Sequence, residues 1–367
     1  MQEELHNFRR VVTYAMESNM QYRPLGTSAL RVSHICLGTM TWGRQNSRED
    51  AFAQMDYALT RGINFFDTAE MYAVPPNENT YGKTEEIIGE WFAARPGARA
   101  KVILASKIAG PSDFFTYIRG GKSKFNRANI REALDNSLRR LKTDEIDLYQ
   151  LHWPERSVNS FGKLGYTHEP ELDGTPLLET LEALQGEIKA GRIREIGLSN
   201  ETPWGVMEFL RLAEKHNLPR MQSVQNPYNL LNRTYEVGLA EISIRANCGL
   251  LAYSPLGGGT LSGKYLGGKI PPGSRRSVET RPWNRYAHPR NEAATQAYVD
   301  LARQHGLDPC QMALAFVNQQ PFLTSNIIGA TTMEQLKMDI DAINVTLSPE
   351  VIQAIDAIHH HNPNPAP

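Results

Sequence analysis

Short apolar runs alternate with longer segments in which apolar residues recur every three or four positions, and this alternation persists from about residue 35 onward. The runs fall at 35–39, 63–67, 102–106, 146–151, 194–198, 221–225, 250–254 and 326–329. An apolar run with no polar alternate face predicts a strand covered on both sides. Between the runs, residues 127–141 place Ile130, Leu134, Leu138 and Leu141 on one stripe behind an Asn126 cap, which predicts a helix. Thr175-Pro176, Thr202-Pro203, Asp308-Pro309 and Ser348-Pro349 each set a capping residue before a proline at the first helical position, and Gly191 stops the helix that Thr175 opens. Strands alternating with helices specify a parallel sheet, and eight such units predict an α/β fold, a single (β/α)8 TIM barrel. Tyr22-Arg-Pro-Leu-Gly and Leu30-Arg-Val-Ser flank a polar turn and predict a hairpin closing the bottom of that barrel, while Ser348-Pro349 opens an extra helix at the C-terminal end.

Loop lengths single out one face. Helix-to-strand links are short (Gly62, 142–145, Gly191-Arg192, 218–220), whereas 73–83, 108–126, 153–175 and 256–290 lead from strand to helix. Loops of that length are usually functional, and in a barrel they gather at the C-terminal rim of the strands. No composition shift divides the chain, so 20–359 is expected to be one domain. Residues 1–19 carry Glu3, Glu4 and Glu17 without an apolar core, which predicts an extension rather than a secretory signal. Residues 360–367 read as a Pro/Asn tail, and His359, His360 and His361 as a solvated terminus rather than a metal site.

Composition narrows the partners. The 367 residues are 41% hydrophobic, enough for a large core, and the formal net charge of −1 comes with no long basic stretch. Nucleic acid and anionic membrane are therefore not expected as partners, and nothing resembles a transmembrane span. A small molecule is the expected partner, with a homo-oligomer left open. Cys36, Cys248 and Cys310 are odd in number and far apart, which suits reduced thiols in the cytoplasm and gives no zinc spacing.

Chemistry concentrates at the predicted rim. Asp67 ends the second strand, Tyr72 follows on its loop, Lys107 comes just after the third, and His152 just after the fourth. Singly, each has a bland reading: a turn cap, a wet phenol, a stabilising ion pair, a hydrogen-bonded rim histidine. Together their chemistry is complementary. A free tyrosine, with a pKa of about 10, is a reluctant acid. A lysine about 4 Å away at an effective dielectric of ~20 contributes roughly 4 kcal/mol, or about three pK units before desolvation is discounted. Asp67 would keep that lysine charged, and His152 would orient a substrate oxygen. Nothing in the set supplies two electrons, so a cofactor is required.

The motifs Gly-Ile-Asn-Phe-Phe-Asp-Thr-Ala-Glu-Met-Tyr (62–72), Ala-Ser-Lys (105–107), Asp-Leu-Tyr-Gln-Leu-His-Trp-Pro (147–154), Ile-Gly-Leu-Ser-Asn (196–200) and Ala-Tyr-Ser-Pro-Leu-Gly-Gly-Gly (252–259) together resemble the aldo-keto reductase superfamily, in order, from about Met20 to His359. Glu-Met-Tyr-Ala-Val-Pro-Pro and Phe-Gly-Lys-Leu-Gly-Tyr are similar to its bacterial Tas-like branch. The resemblance implies an NADPH-dependent reductase of aldehydes or ketones, with Tyr72 as proton donor, Lys107 and Asp67 tuning it, and His152 placing the carbonyl. An alternative from another class is an NADP-binding regulatory or channel-associated subunit with little turnover; asparagine at the His152 position marks some of those.

No G-x-G-x-x-G follows the first strand. Gly258-Gly-Thr-Leu-Ser-Gly-Lys264 approaches a phosphate-binding loop, but Tyr265 stands where Ser or Thr would hold magnesium. Glycines and a lysine can still cradle a pyrophosphate. The resemblance implies that Tyr253 stacks on the nicotinamide, that Ser254, Pro255, Leu256, Gly257 and Gly258 line the pyrophosphate with Lys264 and Arg275, and that Ser199, Asn200 and Gln225 hold the carboxamide. Thr39, Met40 and Asp67 are further implied contacts. Gly329, Thr331, Gln335 and Asp339 match cofactor positions, and the capping-box pattern Thr332 to Gln335 opens a helix whose N-terminus suits a 2′-phosphate. Asp339, where relatives often have asparagine, would work against NADPH. Trp42, Tyr72, His152 and Trp153 are the expected substrate contacts, with Phe114, Phe115, Tyr117 and Tyr166 as further aromatic walls. Arg119, Lys122 and Lys124 read as a solvated loop, or as a lure for an acidic substrate.

Overall fold

A computed structural model describes residues 19–163, 165–169, 174–278 and 285–367; residues 1–18 of the expected extension, and Leu164 of the Phe-Gly-Lys-Leu-Gly-Tyr motif, lie outside them. A hairpin of β1 (Tyr22–Pro24) and β2 (Arg31–Ser33) precedes the strands β3 (Ile35–Gly38), β4 (Phe65–Asp67), β5 (Ile103–Ile108), β6 (Ile146–Leu151), β7 (Ile193–Ser199), β8 (Met221–Pro227), β9 (Gly249–Tyr253) and β10 (Leu323–Ile328). These eight pair in parallel and close, β10 lying between β9 and β3. Between and after them run α1 (Arg48–Thr60), α2 (Lys83–Ala94), α3 (Arg127–Leu141), α4 (Leu177–Lys189), α5 (Pro203–His216), α6 (Leu239–Arg245), α7 (Arg275–Val278), α8 (Asn291–Gln304), α9 (Pro309–Asn318), α10 (Met333–Asp341) and α11 (Pro349–His361). The fold is the predicted (β/α)8 barrel, every predicted strand overlapping an observed one.

The strand period of two builds the interior in layers. Cys36, Phe65, Ala105, Leu148, Leu251 and Ile327 form an apolar layer, and Leu25, Leu30 and Val32 of the hairpin pack onto it from below. Arg23 donates to the carbonyl of Leu323, and the Thr27 amide to Gln222 Oε1 at 2.8 Å, so the bottom is sealed. Two residues further along the strands stand Asp67, Lys107 and Gln150, all buried.

Helix starts follow their caps: Asn126, Thr202, Asp308 and Ser348 each accept from an amide two or three residues on. Thr175 does not. Its helix begins one residue later behind Pro176, while the Thr175 amide and hydroxyl both donate to Glu155 Oε2, at 2.9 and 3.3 Å. Glu155 also accepts from the Phe125 amide, so it ties two rim loops together and takes the threonine for that purpose. The C-terminal end differs as well. The three histidines finish α11, and the chain then packs back: Ala366 is fully buried with its amide on Leu231 O, and Arg233, Arg285 and Arg290 bind Asn364, Pro367 and Pro365.

Candidate active site

Neighbouring strands carry the site. Asp67 pairs with Ala105 across β4 and β5, and Lys107 with Gln150 across β5 and β6, which sets the polar layer at the rim. Lys107 Nζ donates to Asp67 Oδ2 (2.6 Å), to Thr68 O (2.8 Å) and to the Tyr72 hydroxyl (3.4 Å). The other carboxylate oxygen of Asp67 accepts from Gln225 (2.8 Å) and Gln150 (3.2 Å). Burial works against the Lys107 charge, yet Asp67 and Tyr72 outweigh it and raise its pKa, so the cation is held. His152 meets the Tyr72 ring edge-on at 5.8 Å, and neither of its ring nitrogens bonds a described residue.

Burial decides the protonation states. It raises the Tyr72 pKa and outweighs Lys107, which pulls the other way. The sequence argument gave the lysine the upper hand; in the folded protein the phenol instead keeps its proton firmly. His152 is pushed well below the usual histidine value, by burial first and Lys107 second, so it is neutral. The arrangement is a proton-bearing phenol beside a fixed cation, with a neutral imidazole free to hydrogen-bond an oxygen set between them.

Beside it lies a second ensemble. Ser199 donates to Gln225 O (2.9 Å), Asn200 to His152 O (2.8 Å), and the Tyr253 hydroxyl to Asn200 Oδ1 (2.7 Å). Arg285 lies against that same hydroxyl. Beyond Tyr253 the chain turns through left-handed backbone at Ser254, Gly257, Gly258 and Gly259. The amides of Gly257 and Gly259 close local turns, whereas those of Leu256 and Gly258 have no partner among the described residues. Free amides in a glycine turn form an anion cradle. Lys264 makes no ion pair among the described residues, and the N-terminus of α10 stands at the same rim. A dinucleotide phosphate therefore fits the donors present.

A model of the aldo/keto reductase family matches residues 34–360. The chain belongs to that family. The aldo/keto reductases are oxidoreductases that act on small molecules and typically use nicotinamide cofactors. The chain is 53% identical over 348 residues to "Protein tas" of Escherichia coli K12, covering 95% of this chain and all of that protein. It is 35% identical over 343 residues to the "Uncharacterized oxidoreductase YrpG" of Bacillus subtilis, covering 92% and 96% of the two chains. It is 30% identical over 354 residues to a rice "Probable voltage-gated potassium channel subunit beta", covering 94% and 98%. Among the described residues no helix is long and apolar enough to cross a membrane.

Within this aldo/keto reductase the anticipated residues are placed unevenly. Thr39 donates to Asp67 O at 2.8 Å, and Met40 packs in the apolar cluster around Tyr72. Trp153 meets His152 at a tilt, with ring centroids 4.9 Å apart, and also meets Phe115. Pro255 is buried and Leu256 half-buried in the turn beside Ser254, and Arg275 sits over Gly258 with its charge reaching Tyr72. Gly329 is exposed at the end of β10.

Three expectations change. Trp42 is fully buried in the core with its indole on Gln54 Oε1 (3.0 Å), so it forms no substrate wall. Gln335 does not complete the capping box: its Oε1 accepts from the Thr331 amide (2.9 Å) and hydroxyl (3.0 Å), one residue before the cap. Arg119 is not solvated, because Glu70 takes both arms of its guanidinium inside the rim. Sequence reasoning also passed over Gln150 and Glu70. Their signal was a polar residue amid an otherwise buried strand, and a second carboxylate three residues after Asp67.

Proposed function

We propose that the protein reduces an aldehyde or ketone to an alcohol with NADPH, Tyr72 being the proton donor. The supporting observation is the hydrogen-bonded line from Asp67 through Lys107 to Tyr72, with the ring nitrogens of His152 unbonded among the described residues beside it. A hydride for the carbonyl carbon would come from the nicotinamide when the cofactor is bound. His152, neutral, donates a hydrogen bond that holds the carbonyl oxygen near the Tyr72 hydroxyl. As negative charge develops on that oxygen, the Tyr72 proton moves to it. Lys107 lies against the phenolate that remains and stabilises it, and Asp67 keeps Lys107 charged while water is excluded. Tyr253 would stack on the nicotinamide, Ser199, Asn200 and Gln225 would meet its carboxamide, and Lys264 with the amides of Leu256 and Gly258 would meet the phosphates.

The rim walls around Tyr72 are aromatic and apolar (Met40, Phe115, Tyr117 and Trp153), and Arg119 is committed to Glu70. NADPH oxidation followed by absorbance, with wild-type protein and a panel of reactive aldehydes and dicarbonyls, tests the reading. Turnover is expected on at least one uncharged aromatic aldehyde. Silence across the panel, with NADPH still quenching tryptophan fluorescence, would overturn it in favour of a cofactor-binding regulatory subunit.

A further inference from the structure

Leu148, Gln150 and His152 alternate along β6 and its end, so an amide stands between the apolar layer and the rim imidazole. Gln150 is fully buried. Leucine would fill that place without asking for a partner, whereas a buried amide is costly unless it is hydrogen-bonded. Among the described residues both of its side-chain hydrogen bonds go into the candidate site. Its Nε2 donates to Asp67 Oδ1 (3.2 Å), and its Oε1 accepts from Gln225 Nε2 (3.2 Å), which also donates to that same Asp67 oxygen (2.8 Å). In register, Gln150 stands between Lys107 and Gly197. A Cβ at Gly197 would come within 3.4 Å of Gln150 Cγ and 2.8 Å of Ser223 Oγ, so the glycine leaves the amide its room.

The carboxylate decides how this ring is wired. It accepts and cannot donate, so both amides must turn their NH2 groups toward Asp67, and the Gln150 carbonyl is left to receive Gln225. Asp67 is thereby gripped at both oxygens, by the amides on Oδ1 and by Lys107 on Oδ2. We propose that Gln150 is a positioning residue for the reduction: it pins the Asp67 carboxylate so that Oδ2 aims Lys107 at the Tyr72 hydroxyl. This inference rests on the function proposed above and assigns a role to a residue outside the four at the rim. Without Gln150, Asp67 keeps a single amide donor and can turn, and Lys107 follows it. The contact from Lys107 to Tyr72, at 3.4 Å, is the longest of the three that Lys107 makes and so the first to open.

Gln150→Leu and Gln150→Glu, assayed with a carbonyl that wild type reduces, test this. Gln150→Leu should lose about tenfold to a hundredfold in kcat, as expected of a small misplacement of reacting groups, and show a larger solvent deuterium isotope effect than wild type. Its NADPH Kd, from fluorescence titration, should stay within about threefold. Gln150→Glu can restore the wiring only while it carries a proton, its O–H donating to Asp67 and its carbonyl accepting from Gln225. The titratable groups packed around this layer are Asp67, Lys107 with Tyr72 against it, His152 above and Cys36 below. Asp67 is the near carboxylate, and two carboxyl groups side by side share a proton. The kcat of Gln150→Glu should therefore approach wild type at acid pH, and its ratio to the wild-type value should fall by about tenfold per unit once that proton leaves. A ratio constant across pH would overturn the proposal. So would a folded Gln150→Leu with wild-type kcat and isotope effect, or one that loses NADPH affinity as steeply as turnover. If the leucine variant does not fold, the glutamate ratio alone decides. Absence of turnover by folded wild type on every carbonyl would instead overturn the function beneath it.

Discussion

Two buried ion pairs stand three residues apart in sequence. Asp67 holds Lys107, and Glu70 holds Arg119; both carboxylates are almost entirely enclosed. Their difference lies in the cation. Lysine is a point charge with three donors, and Lys107 divides them among Asp67, a backbone carbonyl and Tyr72. Arginine is a planar fork, and Arg119 gives two arms to Glu70, which also takes the Ala109 amide and the Tyr81 hydroxyl. The first pair keeps one donor for a reacting group. The second is closed on itself and fixes the loop from Ile108 to Asn126 to the rim. The same charges thus serve chemistry in one place and architecture in the other.

Tyr72→Phe should have the largest effect on turnover, removing the acid that Lys107 serves. A loss of about 10²–10⁴-fold in kcat, with the NADPH Kd within about twofold of wild type, is expected from stopped-flow and fluorescence titration. An unchanged kcat would take the tyrosine out of its role and dissolve the contrast between the pairs. Removing either cation leaves a buried carboxylate uncompensated, and Lys107→Met and Arg119→Met should each lose about 3–5 kcal/mol in urea unfolding. Their folded fractions should differ sharply in activity: Lys107→Met inactive, Arg119→Met within about tenfold of wild type, as befits a contact away from the reacting atoms. Equal inactivity of the two would show that the pairs are not functionally distinct. Lys264 extends the series to a cation that makes no ion pair among the described residues and has the buried Asp339 in its field. Its alanine variant should weaken NADPH by about tenfold more than NADH, about 1.4 kcal/mol, and leave urea stability unchanged. Equal losses for the two cofactors would place Lys264 away from the 2′-phosphate.

How much of this was legible depended on the range of the interaction. Strands such as 146–151 were plain, because a run covered on both faces carries its own signature. The four rim residues were legible because each sits at a strand end, and a closed parallel sheet brings strand ends together. Arg119 was not: its partner lies 49 residues earlier, and no local pattern says that a loop arginine will fold inward. Trp42 follows a strand end as a rim aromatic would, and only the neighbouring helix, through Gln54, shows that it turns into the core. The Tyr72 pKa needed burial as well as charge, and burial is a property of the whole fold. Gln225 was assigned to the cofactor on resemblance, and the structure shows it also bonded to Asp67 beneath the site.

The return of the chain's last residues has a practical side. Ala366 is sealed against Leu231, and the Pro367 carbonyl takes a hydrogen bond from Arg285, whose guanidinium rests on the Tyr253 hydroxyl. Tyr253 in turn binds Asn200, and Asn200 binds the backbone of His152. A purification handle or reporter fused after Pro367 would therefore tug on a line that ends at the candidate site.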